Sequence, residues 1–147
     1  MNNTYWSVYK RLENELVNAS HVVYYDDNQL NVYSELMLEL LLRIAIEIEA
    51  ISKELYICND GPAYDDESKM YFDTVCLKYL NDKWNLEEKE IFITGNGFYF
   101  KKDENKKLNP LAKSFKRGSS GSDWKKAYQS VKHNRSTNNK KANIKIL

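Results

Sequence analysis

Apolar residues recur at steps of three and four over four stretches of the chain and at steps of two over one. Between Thr4 and about Ala19, Tyr5, Tyr9, Leu12 and Leu16 keep helical spacing, which predicts an amphipathic helix. His21 to Val32 has no helical period and carries Asp26, Asp27 and Asn28, so it reads as a loop or short extended piece. Ser34 then caps the strongest element, which runs to about Ile57. There Met37, Leu40, Leu41, Ile44, Ile48, Ile51 and Leu55 form one stripe. Opposite it, Glu39 with Arg43 and Glu49 with Lys53 are favourably spaced pairs. This is the expected central helix. Asn59, Asp60, Gly61 and Pro62 end it, and a third helix is predicted from about Asp66 to Leu80, with Trp84 closing over its packing.

From Lys89 the period shortens, because Ile91, Ile93, Phe98 and Phe100 alternate around Gly95, Asn96 and Gly97, the pattern of a β-hairpin. Residues 101–121 are polar, basic and rich in Ser and Gly after Pro110, which predicts a mobile basic connection. Residues 122–147 form a basic C-terminal helix and tail. The helix starts at Ser122 or Asp123 and places Trp124, Ala127, Tyr128 and Val131 on one face. The expected class is therefore mainly α: one helical up-down bundle over residues 1–147 with a small β-hairpin insertion.

Composition narrows this picture. A chain of 147 residues, 42% hydrophobic, can bury one core without a disulfide or a metal. The longest apolar stretch, Leu40 to Ile46, is interrupted by Arg43 and is too short to cross a bilayer. The N-terminus lacks a basic-then-apolar signal pattern, so a cytoplasmic protein without membrane contact is expected. Cys58 and Cys76 then read as free buried thiols, and the Asn-X-Ser/Thr triplets at Asn2, Asn18 and Asn134 as meaningless.

Charge changes the picture most. Residues 1–100 hold 8 Lys/Arg against 18 Asp/Glu, net −10, whereas residues 101–147 hold 14 against 3, net +11. Either the basic end folds onto the acidic body or it meets an external anion such as RNA phosphate, and both can hold at once.

On the last helix, 100° per residue puts His133 almost opposite Trp124 and Val131, on the side of Lys126 and Gln129. If the helix ends there, Arg135 can swing to the same side, and Lys126, Lys132, His133 and Arg135 form one cationic cluster. Such a cluster suits a phosphodiester. An imidazole can move the proton of a ribose 2′-hydroxyl while fixed cations stabilise the developing charge. The competing reading is a solvated basic helix end, since Lys and Arg favour helix C-termini. His133, Lys126 and Arg135 are the candidate catalytic residues, and Lys125, Lys132, Lys140 and Lys141 the candidate RNA contacts.

The run from Trp124 to Arg135, with Ala127, Tyr128, Val131, Lys132 and His133, resembles a signature of HEPN-like helical proteins (higher eukaryotes and prokaryotes nucleotide-binding). Tyr33 to Leu36, continuing through Ile46 to Glu49 and Lys53, is similar to another helix of that branch. The resemblance implies an all-α bundle, often dimeric, from a superfamily common in toxin–antitoxin, abortive-infection and phage-defence systems. Many members are metal-independent ribonucleases that use an Arg and a later His with four to six residues between them, two protomers completing the site. Here Lys126, with six residues between it and His133, stands in place of that Arg, and Arg135 follows the His. A Lys holds phosphate as a point charge but lacks the bidentate fork.

Relatives also continue into another apolar helix, whereas this sequence ends at Ala142 to Leu147. Either the protein is a shortened family member, or the missing packing comes from another subunit, in which case Ile144, Ile146 and Leu147 are expected to help form that contact.

Glu47 and Glu49 match the family helix and, with Tyr128, support the site. Glu47 borders the apolar stripe and is expected in a salt bridge at the core edge. Tyr5, Tyr9, Tyr71 and Trp124 read as core, and Tyr24, Tyr25 and Tyr99 as exposed stacking platforms. The resulting expectation is an RNA-directed defence protein, either a metal-independent ribonuclease or an RNA-binding relative, with no cofactor and no metal. The alternative is a helical interaction module that regulates a HEPN or other defence partner, in which case a homodimer or an antitoxin-type protein is the partner.

Overall fold

The computed structural model describes residues 3–147, so Asn2 lies outside the described residues. Within them the chain is mainly helical. Its elements are α1 (Thr4–Ser20), α2 (Glu35–Cys58), α3 (Lys78–Trp84), β1 (Ile91–Phe92), α4 (Asp103–Lys106), β2 (Lys107–Leu108), α5 (Asp123–His133) and α6 (Arg135–Asn138). A π-helical turn, Phe72–Leu77, runs directly into α3. No helix among the described residues is long and apolar enough to cross a membrane.

α2 is the spine because its sequence gives it two good ends and more than one apolar face. Ser34 is extended, and its side chain accepts the Met37 N–H at 3.2 Å, the expected N-cap. At the other end Asp60 takes a left-handed conformation and the Gly61 N–H returns to the Tyr56 carbonyl at 2.9 Å, which satisfies a terminal acceptor and stops the helix. One face packs Leu38, Leu41 and Ala45 against Ala127, Tyr128 and Val131 of α5 and against Ala142. A second cluster joins Met37 to Ala19, Tyr25 and Ile144. Other faces of α2 meet α1 and the π-turn with α3. Arg43 reaches across to Glu15 of α1 in a two-pronged ion pair, one prong at 3.1 Å. It does not pair with Glu39 of its own helix, because a carboxylate on α1 lies within the reach of its fork.

Several sequence expectations fail for tertiary reasons. The hairpin does not close on itself: β1 pairs antiparallel with β2, Ile91 opposite Leu108 and Phe92 opposite Lys107. Phe98 instead bridges to Tyr25, and the Tyr99 N–H donates to the Tyr25 carbonyl at 2.7 Å. Gly97 has φ +101°, and a Cβ there would collide with the Ser20 hydroxyl, so glycine lets this loop lie against the end of α1.

The connection 101–121, expected to be mobile, is pinned. Asp27 accepts the Lys101 and Lys102 N–H groups at 2.9 and 3.2 Å and the Asn105 amide at 2.7 Å. The third helix begins at Phe72 instead of Asp66, after a short 3-10 turn at Glu67–Lys69, and Trp84 sits at the surface.

The tail also differs. Ile144, expected at a subunit contact, is buried in this chain's own core, and its N–H donates to the Val32 carbonyl at 3.1 Å. The Lys145 N–H donates to the Leu30 carbonyl at 3.0 Å, and Ile146 and Leu147 pack against the same cores. The tail thus fills space that helical periodicity could not assign.

Both cysteines are free, but only Cys76 is buried; Cys58, at the end of α2, is exposed. Burial pushes the Cys76 thiol up to about 11, so its reactive thiolate is scarce near neutral pH. A thiol-specific reagent at pH 7.5 should label one cysteine of the native chain rapidly, and peptide mapping should place that label on Cys58. The second should react only in denaturant.

Candidate functional site

The site is organised by a carboxylate inside an apolar stripe. Phe72, Asp73, Cys76 and Leu77 of the π-turn and Leu80 of α3 all face inward. Asp73, with a side chain only 5% exposed, therefore needs buried partners. Lys125, 7% exposed on α5, supplies one: its Nζ donates to Asp73 Oδ2 at 2.9 Å and to the carbonyls of Ser114 and Lys116, both at 2.7 Å. All three ammonium donors are thereby used. Arg117 supplies a fork, with Nε 3.1 Å from both Asp73 oxygens and an η-nitrogen 2.9 Å from Oδ1, while its guanidinium lies 4.3 Å from the Tyr71 ring centre. The Thr74 N–H adds a bond at 2.7 Å. Burial alone would raise the Asp73 carboxyl, but the hydrogen bonds from Arg117 and Lys125 outweigh it and hold the group below its ordinary value of 3.8.

This network ties the basic loop 114–121 to the start of α5 and so builds one wall of a cleft of about 740 Å³. Lys116, Arg117 and Gly118 line it from the loop. From α5, Lys126, Gln129, Ser130 and His133 line it at steps of three, one and three, a single helix face about 10 Å long. Lys141 completes the wall, its Nζ held 3.0 Å from Ser130 Oγ. Lys126 pairs with Asp123 at 2.7 Å, and that bond lowers the Asp123 carboxyl pKa. Gly118 has φ +62°, the left-handed conformation that turns the loop at the cleft edge.

Of the sequence-chosen residues, His133, Lys126 and Lys141 meet in this cleft, and His133 is exposed at its rim. Lys125 also borders the cleft, but at its floor: it is almost wholly buried as the centre of the Asp73 network, because its side chain leaves α5 toward the π-turn. Arg135 does not swing to His133. The helix breaks at Asn134, and Arg135 reaches back to Glu35 at 2.6 Å. Lys132 lies over the Tyr128 ring, 5.4 Å from its centre, and its Nζ is 3.5 Å from the Tyr128 hydroxyl. Lys140 is exposed in the turn after α6 and does not line the cleft.

Glu47 points to the opposite groove between α1 and α2, away from the basic helix. It has no salt bridge among the described residues. Glu49 does face α5, where its charge acts on buried Tyr128; burial, then that charge, raises the phenol pKa.

Among the aromatics, Tyr9 and Tyr71 are exposed, while Tyr25 is buried. Tyr24 and Tyr99 form an exposed edge-to-face pair, centres 5.5 Å apart. Among the described residues, no group of three or more His, Cys, Asp and Glu side chains gathers as a metal site.

Asp73, Lys116 and Arg117 were not singled out from sequence. The readable signal was the carboxylate itself: an Asp in the apolar stripe of Phe72, Cys76, Leu77 and Leu80 demands a buried cation. The fold and site together define a mainly helical domain with a basic cleft on its C-terminal third. Comparison with family models, curated proteins and solved structures finds no match for the chain.

Proposed function

We propose that this chain binds single-stranded RNA through the α5 cleft, as a HEPN-like protein of prokaryotic or mobile-element defence. The observation that carries the reading is the meeting of Lys116, Lys126, Lys141 and the free edge of Arg117 around His133 in one concave site. Fixed cations along two helical turns attract consecutive phosphates, and the cleft gives the strand a defined path. The mainly helical fold and the sequence likeness at Trp124–Arg135 support the family reading.

Binding is favoured over cutting. His133 can take the proton of a ribose 2′-hydroxyl, and Lys126 and Lys141 can hold the phosphate as its charge grows. The guanidinium fork that relatives carry before the His is replaced here by Lys126, and Arg135 is engaged by Glu35. Any cleavage therefore rests on His133 as the single proton-transfer group of this protomer, and a second protomer is the source of a further one.

Fluorescence anisotropy with a labelled single-stranded RNA tests this. Binding should be clear at about 50 mM salt and fall linearly in log K against log salt. Cleavage, where seen, should persist in EDTA, give 2′,3′-cyclic phosphate ends and vanish in His133→Ala, while that variant still binds. No binding at low salt, or binding indifferent to salt, overturns the proposal.

A further inference from the structure

We propose that the groove between α1 and α2 is a docking site for a basic amphipathic helix of another protein, one with an apolar stripe flanked by Lys or Arg. The groove encloses about 680 Å³ and shares no lining residue with the RNA cleft. α1 closes on α2 around Leu12 and Ala19, both buried, but its N-terminal half stands off, leaving Tyr5 and Val8 half-buried and Tyr9 exposed. α2 presents Ile44, Ile48 and Ile51 to this space, all half-buried, in a helix whose Leu38, Leu40, Leu41 and Ala45 are fully covered. The arrangement is a helical bundle with one position left open. From Tyr5 to Val17 it runs about 18 Å, the length of a helix of roughly 12 residues.

The rim identifies a macromolecule as the occupant. Trp6 (59% exposed) stacks on Tyr9 (48%) with centres 5.3 Å apart, and Phe92 (67%) stands at the far wall. These aromatics extend the apolar surface beyond the cavity, where a small ligand would not cover them and a protein partner would use them as anchors.

Charge identifies the partner as basic. The groove's charged lining residues are Glu13 and Glu47, with no Lys or Arg among them. Lys10, at the rim, pairs with Glu13 at 3.0 Å. Glu54 stands beside them, close enough to the Tyr5 hydroxyl to raise its pKa. The face thus keeps a net negative charge that an RNA strand would avoid.

A second copy of this chain does not fit. Its helices of net positive charge among the described residues are α3 and α6, of seven and four residues and too short to fill the groove, and α5, whose apolar face of Ala127, Tyr128 and Val131 is already buried on α2.

The test uses the full chain and three synthetic 18-residue peptides: a Leu/Lys peptide with helical period, a Leu/Glu peptide of the same period, and a Leu/Lys peptide with the period scrambled. Calorimetry and tryptophan fluorescence should show the periodic Leu/Lys peptide binding at least about tenfold tighter than either control. Glu47→Lys, a surface change that leaves the core intact, and Val8→Asp should each weaken it by about tenfold. Helical circular dichroism and RNA affinity should stay unchanged in both variants, which separates this result from failure of the RNA reading. Equal binding of all three peptides, or undiminished binding by both variants, overturns the proposal. So does a groove that takes decyltrimethylammonium but no peptide, or a doubled solution mass that Val8→Asp abolishes.

Discussion

Asp73→Ala should lower the unfolding free energy by about 3–5 kcal/mol in urea titration, the usual cost of removing one partner from a buried ion pair. The loss arises because Lys125, 7% exposed, keeps its charge in a site with no carboxylate, and Arg117 loses the anchor that fixes the cleft loop. Lys125→Met should be comparably damaging, since it leaves the Ser114 and Lys116 carbonyls without their shared donor. If neither single variant folds, the double variant Asp73→Leu/Lys125→Met decides the matter. It removes both charges at once and should recover much of the stability, because an apolar replacement no longer strands a buried ion. A double variant as unstable as the singles would show that geometry, not charge, makes this pair indispensable.

The network also sets a pH dependence. The folded-state pKa of Asp73 is depressed, so its contribution is fully present above the ordinary value of 3.8 and is lost as pH falls through the folded value. Wild-type stability should therefore drop below about pH 4, and Asp73→Asn, which cannot ionise, should flatten that part of the curve.

Lys126→Ala/Lys141→Ala should weaken RNA binding by about 25-fold at 0.1 M salt, while leaving the fold intact. For single strands each neutralised phosphate contributes a slope of about 0.7 in log K against log salt, or about fivefold per contact between 0.1 and 1 M. Two lost contacts should thus reduce the slope by about 1.4, and the difference from wild type should close as salt approaches 1 M. Arg135→Ala and Lys102→Ala are the controls, because Arg135 is engaged by Glu35 and Lys102 lies outside the cleft. Both should have small effects. If all these variants weaken binding equally, the interaction is with the general basic charge of the C-terminal third, and the cleft has no special part in it.

Sequence by itself determined the elements whose signals are local. The stripe from Met37 to Leu55 with Ser34 before it fixed α2, because periodicity and capping act within one helix. The face of Trp124, Ala127, Tyr128 and Val131 fixed α5 and, by elimination, turned Lys126 and His133 outward to the same side.

Tertiary structure decided everything that depends on which neighbour is nearest. β1 pairs with β2, and the Phe98 segment is held by Tyr25 instead. The tail from Ile144 to Leu147 fills the chain's own core because Leu30 and Val32 offer it backbone partners. Lys125 and Lys126 are adjacent and chemically identical, yet one is buried on Asp73 at the cleft floor and the other stands half-exposed on its wall. Helical geometry separates them by 100°, but only the arrival of the π-turn on one side says which becomes part of the core. Arg135 likewise had two directions open after the break at Asn134, and Glu35, a hundred residues earlier, decided between them.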